Sequence, residues 1–168
     1  MVWCCRRVIL HFVLFAVPVS VYGIGNNLGI GLRWILFRYQ ETAIGVNVTN
    51  ILQDADSIAT GFIRTGDAVS ALLWAAAAAL LVLSLINLLN DIDRRKKTRE
   101  RSGILVASAG IILLLSMMAE YGVTLRSPAG YEIPFGLPLV WFVAWWVYRT
   151  HEGDPVEAGE MPAGAVKR

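Results

Sequence analysis

The sequence predicts an all-α integral membrane protein, with four transmembrane helices in a bundle and an amphipathic outer helix leading into the second span. Three observations carry this expectation. Of the 168 residues, 56% are hydrophobic and the mean hydropathy is +0.56, whereas a soluble domain holds about 45–50% apolar residues even with Gly counted. Four apolar runs lie along the chain, and the basic residues gather between the second and third. Four spans of about 20 residues would use about half of the chain. That leaves one domain over 1–149, a polar tail over 150–168, and little room for a separate catalytic module.

The first run, 8–25, follows Arg6 and Arg7 and precedes Asn26 and Asn27. A basic start, Pro18 and a Val21-Tyr22-Gly23 end also fit a cleaved signal peptide over 1–23. His11 inside the stretch and the absence of an Ala-x-Ala site favour a span. The second run, 69–89, has no charge and contains the block Ala75 to Ala79. The third, 103–119, ends at Glu120-Tyr121. The fourth, 133–148, carries Pro134 and Pro138 early, while Trp141, Trp145, Trp146 and Tyr148 crowd its second half as in an interfacial aromatic belt. A helix over 133–148 would be about 24 Å long against a hydrocarbon core of about 30 Å.

Orientation follows from the basic segment, because short loops rich in Lys and Arg stay cytoplasmic. Arg94, Arg95, Lys96, Lys97, Arg99 and Arg101 place the link between the second and third spans inside, and four spans then place both termini in the cytoplasm of a cell with this protein in its plasma membrane. The first outer loop runs from 26 to 68. Within 44–63, Ile44, Val48, Ile51, Ala55, Ile58 and Phe62 recur at spacings of four and three, which predicts a helix with one dry face suited to assembly. Residues 28–39 read as a second helix that lies along the interface or packs on the other outer helix. The tail over 150–168, with its Gly and Pro and no large apolar cluster, is expected to be disordered.

Candidate sites are sparse. Ala75, Ala79, Gly103, Ala107 and Gly110 offer small faces for close helix packing. The six basic residues of the inner link are a topology signal and a candidate contact for anionic membrane lipids, each worth about 1 kcal/mol near a charged leaflet. No aromatic residues interleave with them, which argues against nucleic acid. Asn47-Val48-Thr49 fits the glycosylation pattern at Asn47. Adjacent Cys4 and Cys5 would pair only with strain. With two histidines, His11 and His151, no convergent catalytic, cofactor or metal site is expected. Glu120 has Arg33 or Arg126 as candidate partners.

These features favour a non-enzymatic membrane subunit that assembles with itself or with another membrane protein. The alternative is a subunit of an oligomeric channel for ions or small solutes. The plan of four spans, a long first outer loop, a short second one and a basic inner loop resembles the tetraspan layout of claudin-like and connexin-like proteins. The resemblance is one of topology: the first outer loop has no cysteine, Gly31-Leu32-Arg33-Trp34 departs from the claudin Gly-Leu-Trp pattern, and no residue role carries over.

Overall fold

The computed structural model describes residues 2–25, 28–61, 65–90 and 96–149. Along the chain run α1 (Val2–Ala16), β1 (Ser20–Ile24), β2 (Gly29–Arg33), β3 (Phe37–Thr42), β4 (Gly45–Asn50), α2 (Ile51–Ala59), α3 (Thr65–Asn90), α4 (Lys96–Tyr121), β5 (Arg126–Ser127), β6 (Gly130–Ile133) and α5 (Leu137–Arg149). The strands form one antiparallel sheet in the order β4-β3-β2-β1-β6-β5. The protein is therefore a helical hairpin capped by a sheet, and the expected all-α, four-span bundle is overturned.

Among the described residues, two helical stretches are long and apolar enough to cross a membrane, Asp67–Asn90 and Glu100–Tyr121. The first and fourth expected spans both contain strand. In the first, helix stops at Ala16 because Val17 precedes Pro18 and is steered out of the α region. Val19, Val21 and Tyr22 then suit a strand, and β1 takes over. The fourth begins on Ile133, the last residue of β6, which pairs with β1, and its helix starts only beyond Pro134 and Gly136. The helices in these two stretches, α1 with 15 residues and α5 with 13, rise about 22 and 20 Å, short of a core of about 30 Å. The multi-pass tetraspan plan, and the topological resemblance that rested on it, lapse with this count.

The outer segment corrects the expected helix over 44–63 in an instructive way. A spacing of four keeps residues on one face of a helix, but it also keeps them on one face of a strand, where the period is two. Ile44 and Val48 satisfied both readings. The β-branched Val46, Val48 and Thr49 settle the segment as β4, paired with β3 through the turn at Ala43-Ile44 and Gly45, whose φ is +140°. Helix starts at Ile51, where Asn50 accepts from the Gln53 N–H at 2.9 Å and the Gln53 side chain accepts from the Asn50 N–H at 2.9 Å. Residues 28–39, read as helix, form β2 and the start of β3, because Gly29 and Gly31 weaken a helix.

The core lies within the α3–α4 hairpin and under the sheet. Trp74, Ala77, Leu81, Val106, Leu113 and Met117 are buried, with Val140 and Val143 of α5 packed on them. Across this interior Ser84 Oγ donates to the Ser102 carbonyl at 3.1 Å, so His11 Nε2, 3.0 Å from Ser84 Oγ, donates to it. The outward faces stay apolar: Leu72, Val82, Leu83, Ile104, Ile111 and Leu115 are all exposed.

Candidate functional site

A buried cluster of charge joins the sheet to the end of the hairpin. Arg33 closes β2, opposite Ser20 of β1 and Arg38 of β3 in register. Its side chain is 2% exposed. Arg33 Nη2 lies 2.5 Å from Glu120 Oε2 in the last turn of α4, and Nη1 lies 3.4 Å from Glu132 Oε1 on β6. Serines supply the remaining bonds. Ser20 donates to Glu132 Oε1, Ser70 of α3 donates to Glu120 Oε2 at 2.9 Å, and Ser116 of α4 donates to the Ser70 carbonyl at 2.8 Å. One guanidinium thus ties β2 to α4 directly, to β6 through Glu132, and to α3 through Glu120 and Ser70.

Aromatic rings wall this cluster. The Arg33 guanidinium carbon is 5.7 Å from the centre of the Tyr22 ring and 5.9 Å from that of Trp74, within the range of cation–π attraction. Gly31 makes room for Tyr22: the two are directly paired across β1 and β2, and a Cβ at Gly31 would run into the Tyr22 ring. Trp74 Nε1 donates to the Trp34 carbonyl at 3.1 Å. Nearer the rim, Arg38 Nη2 meets Asp54 Oδ1 at 2.9 Å. Between Arg33 and this second pair lies a cavity of about 380 Å³, whose walls include Tyr22, Gln40, Asp67, Ala71 and Tyr121.

The electrostatics are those of one cation facing two carboxylates. Desolvation works to lower the Arg33 pKa, but Glu120 and Glu132 outweigh it, and the net shift is upward, so the guanidinium stays charged. Burial pushes the Glu132 carboxyl up, with Arg33 and the Ser20 hydroxyl pulling the other way. Burial likewise raises the Tyr22 phenol. A carboxylate that binds its proton more tightly when folded favours the folded state fully below its unfolded pKa of about 4.3, and that benefit is lost as pH rises through the raised value. Glu132→Gln keeps an acceptor for Ser20 and removes the titration. Its melting temperature is expected to vary less with pH than the wild type's from about pH 4 upward. Matched thermal scans across that range check it, and identical slopes would contradict the assignment.

The residues singled out in the sequence fall elsewhere. Ile44 and Val48 lie on the outer hairpin, exposed; Ile51 packs against the core; Ala55 is exposed and Ile58 half-buried on α2. Phe62 lies outside the described residues. Gly103 and Gly110 are buried against α5, where added Cβ atoms would come within 3.3 Å of the Ala144 carbonyl oxygen and 2.6 Å of Trp141 Nε1. Ala107 and Ala75 are half-buried and Ala79 is exposed. Arg94 and Arg95 lie outside the described residues; Lys96, Lys97 and Arg99 fall in the opening turn of α4, followed by an exposed Arg101. Asn47 is exposed on β4, its amide 3.3 Å from Thr49 Oγ1.

Of the two partners considered for Glu120, the structure selects Arg33. Sequence reasoning missed Ser20, Tyr22, Trp74, Glu132 and the two serines of the hairpin. A signal was present: Arg33 between Leu32 and Trp34, and Glu132 between Tyr131 and Ile133, are lone charges in apolar settings, and a buried charge needs a partner. Among the described residues no group of three His, Cys, Asp or Glu side chains is placed to hold a metal ion. No protein-family model matches the chain, and no curated protein matches it.

Proposed function

We propose that this protein is a non-catalytic membrane subunit, anchored by the α3–α4 hairpin, whose sheet docks another protein chain at the membrane surface. The observation that carries this reading is the outer edge of the sheet. Among the described residues β4 pairs with β3 on one side and with no strand on the other. An open edge of unpaired backbone groups is a template for strand addition unless something blunts it. Here it is apolar as well: on β4 Val46 is 60% exposed and Val48 55%, beside Ile44 of the turn at 99%.

The apolar outward faces of α3 and α4 support the anchor, since lipid in place of water removes the cost of exposing them. The basic residues between α3 and α4 and at the start of α4 favour the cytoplasmic side for this end of the hairpin by the positive-inside rule, and offer a contact for anionic lipids. The sheet then faces the other side of the plasma membrane. α1 and α5 lie along the hairpin: His11 meets Ser84 toward the end of α3, and Gly103 at the start of α4 packs beside Tyr148. The start of α1 and the end of α5 accordingly lie toward the cytoplasmic side in this reading.

The test is the mass of the complex extracted into lipid nanodiscs, for the wild type and for a Val46→Lys, Val48→Lys double variant. The expected result is an assembly of two or more chains that the double variant reduces to single chains. A wild-type monomer, or an assembly that the two lysines leave intact, would overturn the docking reading.

A further inference from the structure

A narrow groove of about 280 Å³ runs where α5 lies against α4. Gly103, Ala107 and Ala144, buried or half-buried, form its floor, and the exposed Trp141, Trp145 and Tyr148 form a wall. The small residues let the two helices come close: a Cβ at Gly103 would stand 3.3 Å from the Ala144 carbonyl oxygen and from Tyr148 Cβ. The groove is therefore only about a side chain deep. A helix about 10 Å across cannot enter it, whereas a single hydrocarbon chain can. Trp141 stops the far end, its Nε1 lying over Gly110, 2.6 Å from where a Cβ would stand. From Gly103 to Gly110 the rise is about 10 Å, so the groove is a short, blind slot that opens toward the start of α4 and the end of α5.

Charge at that end is one-sided. The start of α4 and the end of α5 carry Lys96, Lys97, Arg99, Arg101 and Arg149 against one acidic residue, Glu100. Arg149 stands at the groove itself, its guanidinium carbon 5.0 Å from the centre of the Trp145 ring in the wall. Arg101 is exposed one turn before Ile104, which also lines the groove. An apolar slot with cations at its mouth matches a molecule that joins an acyl chain to a negative head, and basic pockets between helices on the cytoplasmic side hold such headgroups. A neutral lipid would fill the slot and leave the cations to water.

We infer that the α4–α5 groove is a specific site for one anionic glycerophospholipid of the cytoplasmic leaflet, with an acyl chain over Gly103 and Ala107 and the phosphate at Arg149. Diffuse attraction between basic residues and a charged leaflet supplies neither the chain slot nor the single phosphate contact. The site rests on the proposed anchoring of the hairpin in a membrane, and not on docking at the sheet edge.

The test reconstitutes the full chain into nanodiscs of phosphatidylcholine with a minor share of phosphatidylglycerol, and identifies by native mass spectrometry the lipid that stays bound on release from the disc. The wild type is expected to retain phosphatidylglycerol in excess of its share. Arg149→Gln, at the exposed end of α5, leaves the helix packing in place and is expected to lower that preference about fivefold, the equivalent of the roughly 1 kcal/mol of one basic residue near a charged leaflet. Ala107→Phe fills the groove from its floor and is expected to abolish retention. Arg126→Gln, an equal loss of charge on the exposed β5, is expected to change nothing. Retention in proportion to the disc composition, a preference unchanged in Arg149→Gln, or equal losses in Arg149→Gln and Arg126→Gln would overturn the inference. Alkaline carbonate extraction of membranes reports the anchoring separately: a chain that stays in the membrane without lipid preference removes this site alone, and a chain that is stripped off removes the anchor and the site with it.

Discussion

Arg33→Met is expected to destabilise the protein by about 3–5 kcal/mol, because it leaves two carboxyl groups buried without their cation. Glu120 loses its 2.5 Å ion pair and Glu132 its counter-charge, while the methionine fills only part of the space between the Tyr22 and Trp74 rings. The damage should be local to the junction. Hydrogen exchange in nanodiscs is expected to show lost protection in β1, β2 and β6, with the α3–α4 hairpin largely retained, since its packing rests on Leu81, Val106, Leu113 and other apolar contacts. The double variant Arg33→Met, Glu120→Gln removes one of the two stranded carboxyl groups as well as the cation, and is expected to recover part of the loss. A single variant within about 1 kcal/mol of the wild type would mean that the guanidinium carries no clamping role.

Gly130→Ala is the second large effect. Gly130 has φ of +144°, a region that L side chains rarely adopt, and a Cβ there would overlap the Gly23 carbonyl oxygen on the paired strand. The backbone conformation alone is worth about 1–3 kcal/mol, and the overlap is with main chain that cannot swing aside. β6 must therefore shift away from β1, and Glu132, two residues along, is carried off Ser20 and Arg33. Gly122→Ala is the control. It too has positive φ, +81°, but its nearest neighbour would be the Arg126 carbonyl oxygen at 4.0 Å, so only the conformational cost of about 1 kcal/mol applies. A drop in melting temperature clearly larger for Gly130→Ala than for Gly122→Ala is expected. Equal drops would show that the β1–β6 junction yields more readily than its close approach implies.

The sequence made the apolar hairpin legible and hid most of the sheet, for physical reasons that particular residues show. Val69 to Leu89 and Gly103 to Ala119 carry no charge and no proline, so one reading fits them, and both lie in long helices. Val8 to Gly25 is as apolar, but Pro18 divides it, and only the β-branched run after the proline distinguishes strand from helix. Ile44 and Val48 misled because a spacing of four belongs to both periods, whereas Asn50 with Gln53 marks the helix start that an amphipathic count passed over. The charge cluster is less legible still. Ser20, Arg33, Glu120 and Glu132 come from four elements, and it is the sheet order, with β6 inserted beside β1, that brings Glu132 to Arg33. Nothing local in the chain specifies that neighbour; the lone charges between apolar residues state only that some partner exists.

The proposed function requires that the α3–α4 hairpin crosses the membrane, with the sheet on one side and the basic start of α4 on the other. The most direct measurement is labelling of single cysteines with a membrane-impermeant thiol reagent on intact cells, with Cys4 and Cys5 replaced by serine. Ile44→Cys stands at the fully exposed turn between β3 and β4, and Arg101→Cys near the exposed start of α4. Ile44→Cys is expected to be labelled from outside, and Arg101→Cys only after the membrane is permeabilised. Labelling of both on intact cells, or protection of both until permeabilisation, would contradict a hairpin that spans the bilayer and hold the sheet and the basic turn on the same side.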